Sequence, residues 1–167
     1  MPNHWHFVLW PKNDQDLGRF MQRLTVTHVT RWQKNHNMVG FGHVYQGRFK
    51  SFPVENGEYF YRVVRYVERN ALRANLVTRA EAWQWGSLWI RQFGSAEHHK
   101  LLSGWPLARP RRWLQYLGEP ETKAELEALR QSCRRGTPYG SPDWVEITVR
   151  QLNLESTIRP PGRPQKK

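Results

Sequence analysis

The chain has 167 residues and a formal net charge of +12, with a sequence pI near 10.4, which suits one modest domain plus an extension and excludes two full domains. Lys and Arg in such excess call for a polyanionic partner, nucleic acid ahead of an acidic membrane surface. Cys133 is the single cysteine, excluding an internal disulfide and a cysteine metal cluster, and no apolar stretch approaches the ~20 residues of a membrane span, so a cytoplasmic setting is expected.

The opening run Met1-Pro2-Asn3-His4-Trp5-His6-Phe7-Val8-Leu9-Trp10 reads as a β-strand, whose period of two puts His4 and His6 on one face and Trp5 on the other. Two convergent imidazoles make a divalent-metal site; two histidines on a polar strand face is the plainer alternative. After a turn at Lys12-Asn13-Asp14, with Asp14 as N-cap, Leu17, Phe20, Met21, Leu24, His28 and Trp32 recur at helical spacing and predict a helix from about Asp16 to Asn35. The glycine-containing stretch from Gly40 to Val54 reads as loop, then strand. Arg48 and Lys50 there share one face, either along a phosphate path or simply solvated.

Asn56 is the expected cap of a second helix, from Gly57 to a taper near Asn70 to Asn75. On it Tyr66 and Asn70 stand four residues apart and share a face. A tyrosine hydroxyl can act as a covalent nucleophile, and an Asn amide oxygen can join two imidazoles as a third metal ligand. Nine tryptophans beside the positive charge suit stacking of unpaired bases, although most are expected in the core. Short helical turns are expected between Gly104 and Pro120, a helix from Thr122 to Arg134, and another from Pro142 to Asn153 with proline in its first turn. That pair is either a helix-turn-helix or a plain packing hairpin. The tail Arg159-Pro160-Pro161-Gly162-Arg163-Pro164-Gln165-Lys166-Lys167 is basic and proline-rich, suited to a minor groove or to solvent.

Taken in order, Met1-Pro2-Asn3-His4-Trp5-His6, Tyr45-Gln46-Gly47-Arg48-Phe49-Lys50-Ser51, Tyr66-Val67-Glu68-Arg69-Asn70-Ala71-Leu72-Arg73-Ala74-Asn75-Leu76-Val77, Trp83-Gln84-Trp85 and Arg134-Arg135-Gly136-Thr137-Pro138-Tyr139-Gly140 with Gly162-Arg163-Pro164 resemble the REP-associated tyrosine transposases, single-tyrosine members of the HUH class. The resemblance implies an α+β fold, a ferredoxin-like antiparallel sheet with helices on one face, as a catalytic domain over 1–100, followed by a helical extension over 101–156 and a basic flexible tail over 157–167. It implies Tyr66 as nucleophile, His4, His6 and Asn70 as ligands of Mg²⁺ or Mn²⁺, and single-stranded or hairpin DNA as substrate, with no membrane and no small-molecule substrate. Arg48, Lys50, Arg62, Arg69, Arg73 and Arg163 are the candidate DNA contacts; monomer and homodimer both stay open. Ala71 stands where the family has proline. The histidine run, central in family members, here begins at residue 1, so an N-terminally truncated or decayed copy is expected, with a non-catalytic nucleic-acid-binding remnant as the alternative.

Overall fold

The computed structural model describes residues 1–159 and Gly162. The elements among them are α1 (Asp16–Asn35), α2 (Glu58–Glu68), α3 (Asn70–Arg73), α4 (Ser87–Phe93), α5 (Ala96–His99), α6 (Trp113–Gly118), α7 (Lys123–Arg135), α8 (Pro142–Gln151) and α9 (Glu155–Ile158), with a 3₁₀ turn at Ala80–Ala82. The chain divides into two compact units, one of Met1–Phe7 with Phe52–Lys167 and one of Val8–Ser51.

The expected ferredoxin-like antiparallel sheet is overturned. No strand forms among the described residues, and extended pairing is limited to one isolated parallel bridge between Val54 and Tyr139. A strand persists only as a rung of a ladder, because its N–H and C=O groups need a neighbour. Neither residues 1–10 nor residues 40–54 find an extended partner beyond that bridge among the described residues. Gly40 and Gly42, at φ 86° and 102°, turn the chain at the start of the second stretch, in the part expected as loop.

In the smaller unit, α1 spans the predicted helix. Its start differs from expectation. Gln15 occupies the cap position in a left-handed conformation, and the Asp16 carboxylate accepts the Asn13 backbone N–H at 2.9 Å. The following loop returns to this helix through Gln33 Nε2, which donates to the Gly42 carbonyl at 3.0 Å, and through Tyr45 Oη with His28 Nδ1 at 2.6 Å.

The larger unit is organised around α2, whose apolar residues point two ways. Phe60 and Val64 join Ala80, Leu88, Trp113 and Leu117 in one core. Val63 joins Leu129 and Tyr139 in a second, against which Tyr59 and Tyr66 pack. Trp113 is fully buried, while Trp10 and Trp85 are 61% and 75% exposed, so the tryptophans divide between packing and surface. Gly57 replaces the expected Asn56 as the residue before α2 and makes no side-chain cap.

The start of α7 follows the sequence closely. Thr122 Oγ1 accepts the Glu125 N–H at 3.1 Å, and Glu125 Oε2 accepts the Thr122 N–H at 2.8 Å, a reciprocal capping box. Gly136 closes α7 at φ 73°, its N–H donating to the Ser132 carbonyl at 2.8 Å. The turn after it is stitched to residues 53–55. The Glu55 N–H donates to the Tyr139 carbonyl, and the Tyr139 N–H to the Pro53 carbonyl, both at 2.9 Å. Glu55 then accepts the Ser141 N–H at 2.5 Å and its hydroxyl at 3.2 Å, placing a carboxylate at the N-terminus of α8. Gly140 sits in the close approach: a Cβ there would lie 2.4 Å from Trp144 and 2.7 Å from Glu55 Oε2.

Candidate active site

His4, His6, Tyr66 and Asn70 come from sequence positions up to 66 residues apart and meet within the larger unit. The His4 and His6 rings stand edge to face with centroids 5.1 Å apart, and the His6 ring lies 5.8 Å from the Tyr66 ring. Asn70 Nδ2 is 3.5 Å from His4 Nε2, the outer limit of a hydrogen bond. The α2–α3 helical run presents Tyr66 and Asn70 one turn apart on one side, as their spacing predicts.

His4 Nδ1 donates to Asn3 Oδ1 at 2.8 Å, which leaves the lone pair on Nε2, the nitrogen facing Asn70. Burial, then electrostatic repulsion from a protonated His4, from Arg73 and from the α-amino group, pulls the His6 pKa down to about 4. Burial and the α-amino group also lower that of His4. Both rings are therefore neutral at pH 7 and able to donate lone pairs to a cation.

No group of three His, Cys, Asp or Glu side chains gathers as a metal cage among the described residues. The donors on hand are two neutral imidazoles and the Asn70 amide, a set compatible with a divalent cation. The amide is not oriented for that task. Asn70 Oδ1 accepts Arg73 Nη2 at 2.8 Å and turns its NH₂ toward His4, so ligation through oxygen requires the amide to turn over and Arg73 to release it.

Arg73 is the hub of the site. Its guanidinium lies 4.1 Å from the centroid of the Tyr66 ring, and it donates to Asn70 Oδ1, to the Tyr66 carbonyl at 3.4 Å and to Glu121 Oε1 at 3.0 Å. Arg62, Arg65, Arg69 and Arg73 form a ladder at steps of three and four along α2 and α3. Two carboxylates near the start of α7 face it. Glu121 binds Arg69 at 3.2 Å as well as Arg73, and Glu125 binds Arg65 at 2.9 Å and lies 3.9 Å from Arg62.

The candidate DNA contacts thus fall into distinct settings. Arg69 is 7% exposed and committed to Glu121 and the Leu117 carbonyl; Arg62 is shared among Glu58, Glu125 and the face of Tyr59. Arg48 and Lys50 lie exposed in the smaller unit, and Arg163 lies outside the described residues. Sequence reasoning missed Glu121 and Glu68. Glu68 is a buried carboxylate held by Trp113 Nε1 at 2.8 Å and Ser87 Oγ at 2.9 Å, with its pKa raised by burial against those two hydrogen bonds and the more distant Arg109 and Arg91. No spacing rule singles out either acid.

Residues 1–70 match the family described as Transposase IS200 like, a stretch that holds His4, His6, Tyr66 and Asn70 but neither Arg73 nor Glu121. No curated protein and no solved structure matches the chain. No helix among the described residues is long and apolar enough to cross a membrane.

Proposed function

We propose that the chain, whose residues 1–70 match the IS200-like transposases, acts on DNA as such a transposase, nicking and rejoining single-stranded hairpin DNA through Tyr66. The supporting observation is convergence: the His6 ring lies 5.8 Å from the Tyr66 ring, His4 lies 3.5 Å from Asn70, and Arg73 spans Tyr66 and Asn70.

Tyr66 Oη attacks the scissile phosphorus in line. The Tyr66 O–P bond forms as the P–O3′ bond breaks, and the electron pair leaves on the 3′ oxygen, which takes up a proton to become a free 3′-hydroxyl. The phenolic proton passes to solvent. The phosphodiester's energy is kept in the 5′-phosphotyrosine link, so a 3′-hydroxyl can reverse the step without a nucleotide cofactor.

His4 and His6 would hold a divalent metal, Mg²⁺ or Mn²⁺, with Asn70 as the third protein ligand once its amide turns. An ion held there would supply Lewis-acid polarisation and orientation of the scissile phosphate. Arg73 restrains the Tyr66 ring through a cation–π contact and so holds the nucleophile's orientation. Arg48 and Lys50 track the DNA backbone, while Arg69 serves the fold.

The test is incubation of the chain with end-labelled single-stranded hairpin DNA and Mn²⁺, scoring a denaturation-resistant adduct. Tyr66→Phe is expected to abolish the adduct and retain hairpin binding; an adduct of equal yield in the variant excludes Tyr66.

A further inference from the structure

Glu121 stands two residues before α7, outside the stretch matched to the transposase family, and has no reason from its sequence setting to concern the site. It is buried, 9% exposed, and its two oxygens are divided: Oε2 accepts Arg69 Nε at 3.2 Å and Oε1 accepts Arg73 Nη1 at 3.0 Å. A buried carboxylate between two guanidiniums is held firmly, since neither charge can return to water without leaving the other unpaired. Its backbone is fixed as well, because Thr122, the next residue, closes the capping box that starts α7. Glu125, one turn on, grips Arg65 on the same ladder.

Arg73 transmits this fixity. The guanidinium that Glu121 holds also lies 4.1 Å from the Tyr66 ring centroid and donates to Asn70 Oδ1 at 2.8 Å. Fork geometry makes these contacts interdependent: a planar group with fixed donor directions cannot keep Tyr66 and Asn70 if the partner setting its orientation is removed. Resting on the reading of Tyr66 as nucleophile, we propose that Glu121 is a positioning residue, which orients Arg73 so that Arg73 fixes the Tyr66 ring and the Asn70 amide for attack. The segment leading into α7 thereby becomes part of the catalytic apparatus without touching DNA.

The test follows the Tyr66 ring directly. The full chain is labelled with ¹³Cζ-tyrosine, which gives signals from six residues, and the Tyr66 signal is identified by its loss in Tyr66→Phe. Glu121→Gln and Arg73→Lys are expected to move the Tyr66 signal in the same direction. The Tyr59 and Tyr139 signals should stay in place, and the double variant should move Tyr66 no further than the larger single change. Should Glu121→Gln fail to fold, Glu121→Asp keeps the charge, shortens the reach and is expected to give the same displacement. An unmoved Tyr66 signal in a folded Glu121 variant, or additive displacements, overturns the proposal.

The same variants are assayed for adduct formation on a single-stranded DNA hairpin with Mn²⁺. The expected result is a rate at saturating DNA lowered by about 10- to 100-fold with hairpin affinity unchanged, since small misplacements of a reacting group cost about this much. Weakened affinity at an unchanged rate also overturns it. An adduct that survives Tyr66→Phe defeats the nucleophile reading instead, and the displacement of the Tyr66 signal distinguishes that failure from the failure of the relay.

Discussion

The Arg73 guanidinium lies 4.1 Å from the centroid of the Tyr66 ring, held there by hydrogen bonds to Asn70 and Glu121. A residue read as a DNA contact is thus in touch with the expected nucleophile.

Arg69 and Arg48 should respond oppositely to removal. Arg69→Ala leaves the buried Glu121 with one partner fewer and is expected to cost about 3–5 kcal/mol of stability, measured by denaturant unfolding. Arg48→Ala and Lys50→Ala should leave the unfolding midpoint in place and each lower the salt slope of DNA binding by about 1. A stable Arg69→Ala chain with a reduced salt slope would reverse the assignment.

Neutral imidazoles at His4 and His6 predict cation binding that weakens when either is lost. His6→Ala should reduce Mn²⁺ affinity by at least about tenfold in calorimetric titration, because even supporting partners of ligands are worth that much. Unchanged affinity in both single alanine variants would remove the histidine pair from the metal site.

Glu68 should make the fold less stable as pH rises. Burial raises its pKa, so between the ordinary carboxyl value near 4.5 and its folded value the native chain holds a proton that the unfolded chain has released. The stability it contributes is complete below the ordinary value and is lost as pH rises through the folded one. Glu68→Gln keeps an acceptor for Trp113 Nε1, faces Ser87 Oγ with an amide NH₂ where Glu68 accepts that hydroxyl, and removes the titration. Unfolding of both chains across this window should show the variant gaining on the parent with rising pH; a constant difference contradicts it.

The Glu55 clamp at α8 gives a purely structural prediction. Glu55→Ala removes the acceptor of the Ser141 N–H and should cost about 0.5–2 kcal/mol, as loss of a helix cap does. Gly140→Ala forces a Cβ to within 2.4 Å of Trp144 and should cost about 1–3 kcal/mol through overpacking. Thermal unfolding reads both.

Helices were legible because their signals are local. The stripe from Leu17 to Trp32 and Pro142 at a first turn each act within a few residues and led to helices of nearly the observed extent, and the helix expected from Thr122 to Arg134 forms as α7. The sheet was expected from the family resemblance and does not form: alternation says only that a segment can be a strand, its partner comes from elsewhere, and residues 1–10 find none among those described. The pairing of Tyr66 with Asn70 was legible from helical spacing, and the family resemblance joined the histidines to them. Glu121 was not legible, since its meaning comes from Arg69 and Arg73, about 50 positions away.

The most direct measurement is to digest the protein–DNA adduct formed with Mn²⁺ and locate the nucleotide by mass spectrometry. Attack by Tyr66 predicts a nucleotide 5′-phosphate on the peptide containing Tyr66, absent when EDTA is added. A nucleotide on any other residue, or hairpin binding with no adduct in the presence of the metal, would contradict it.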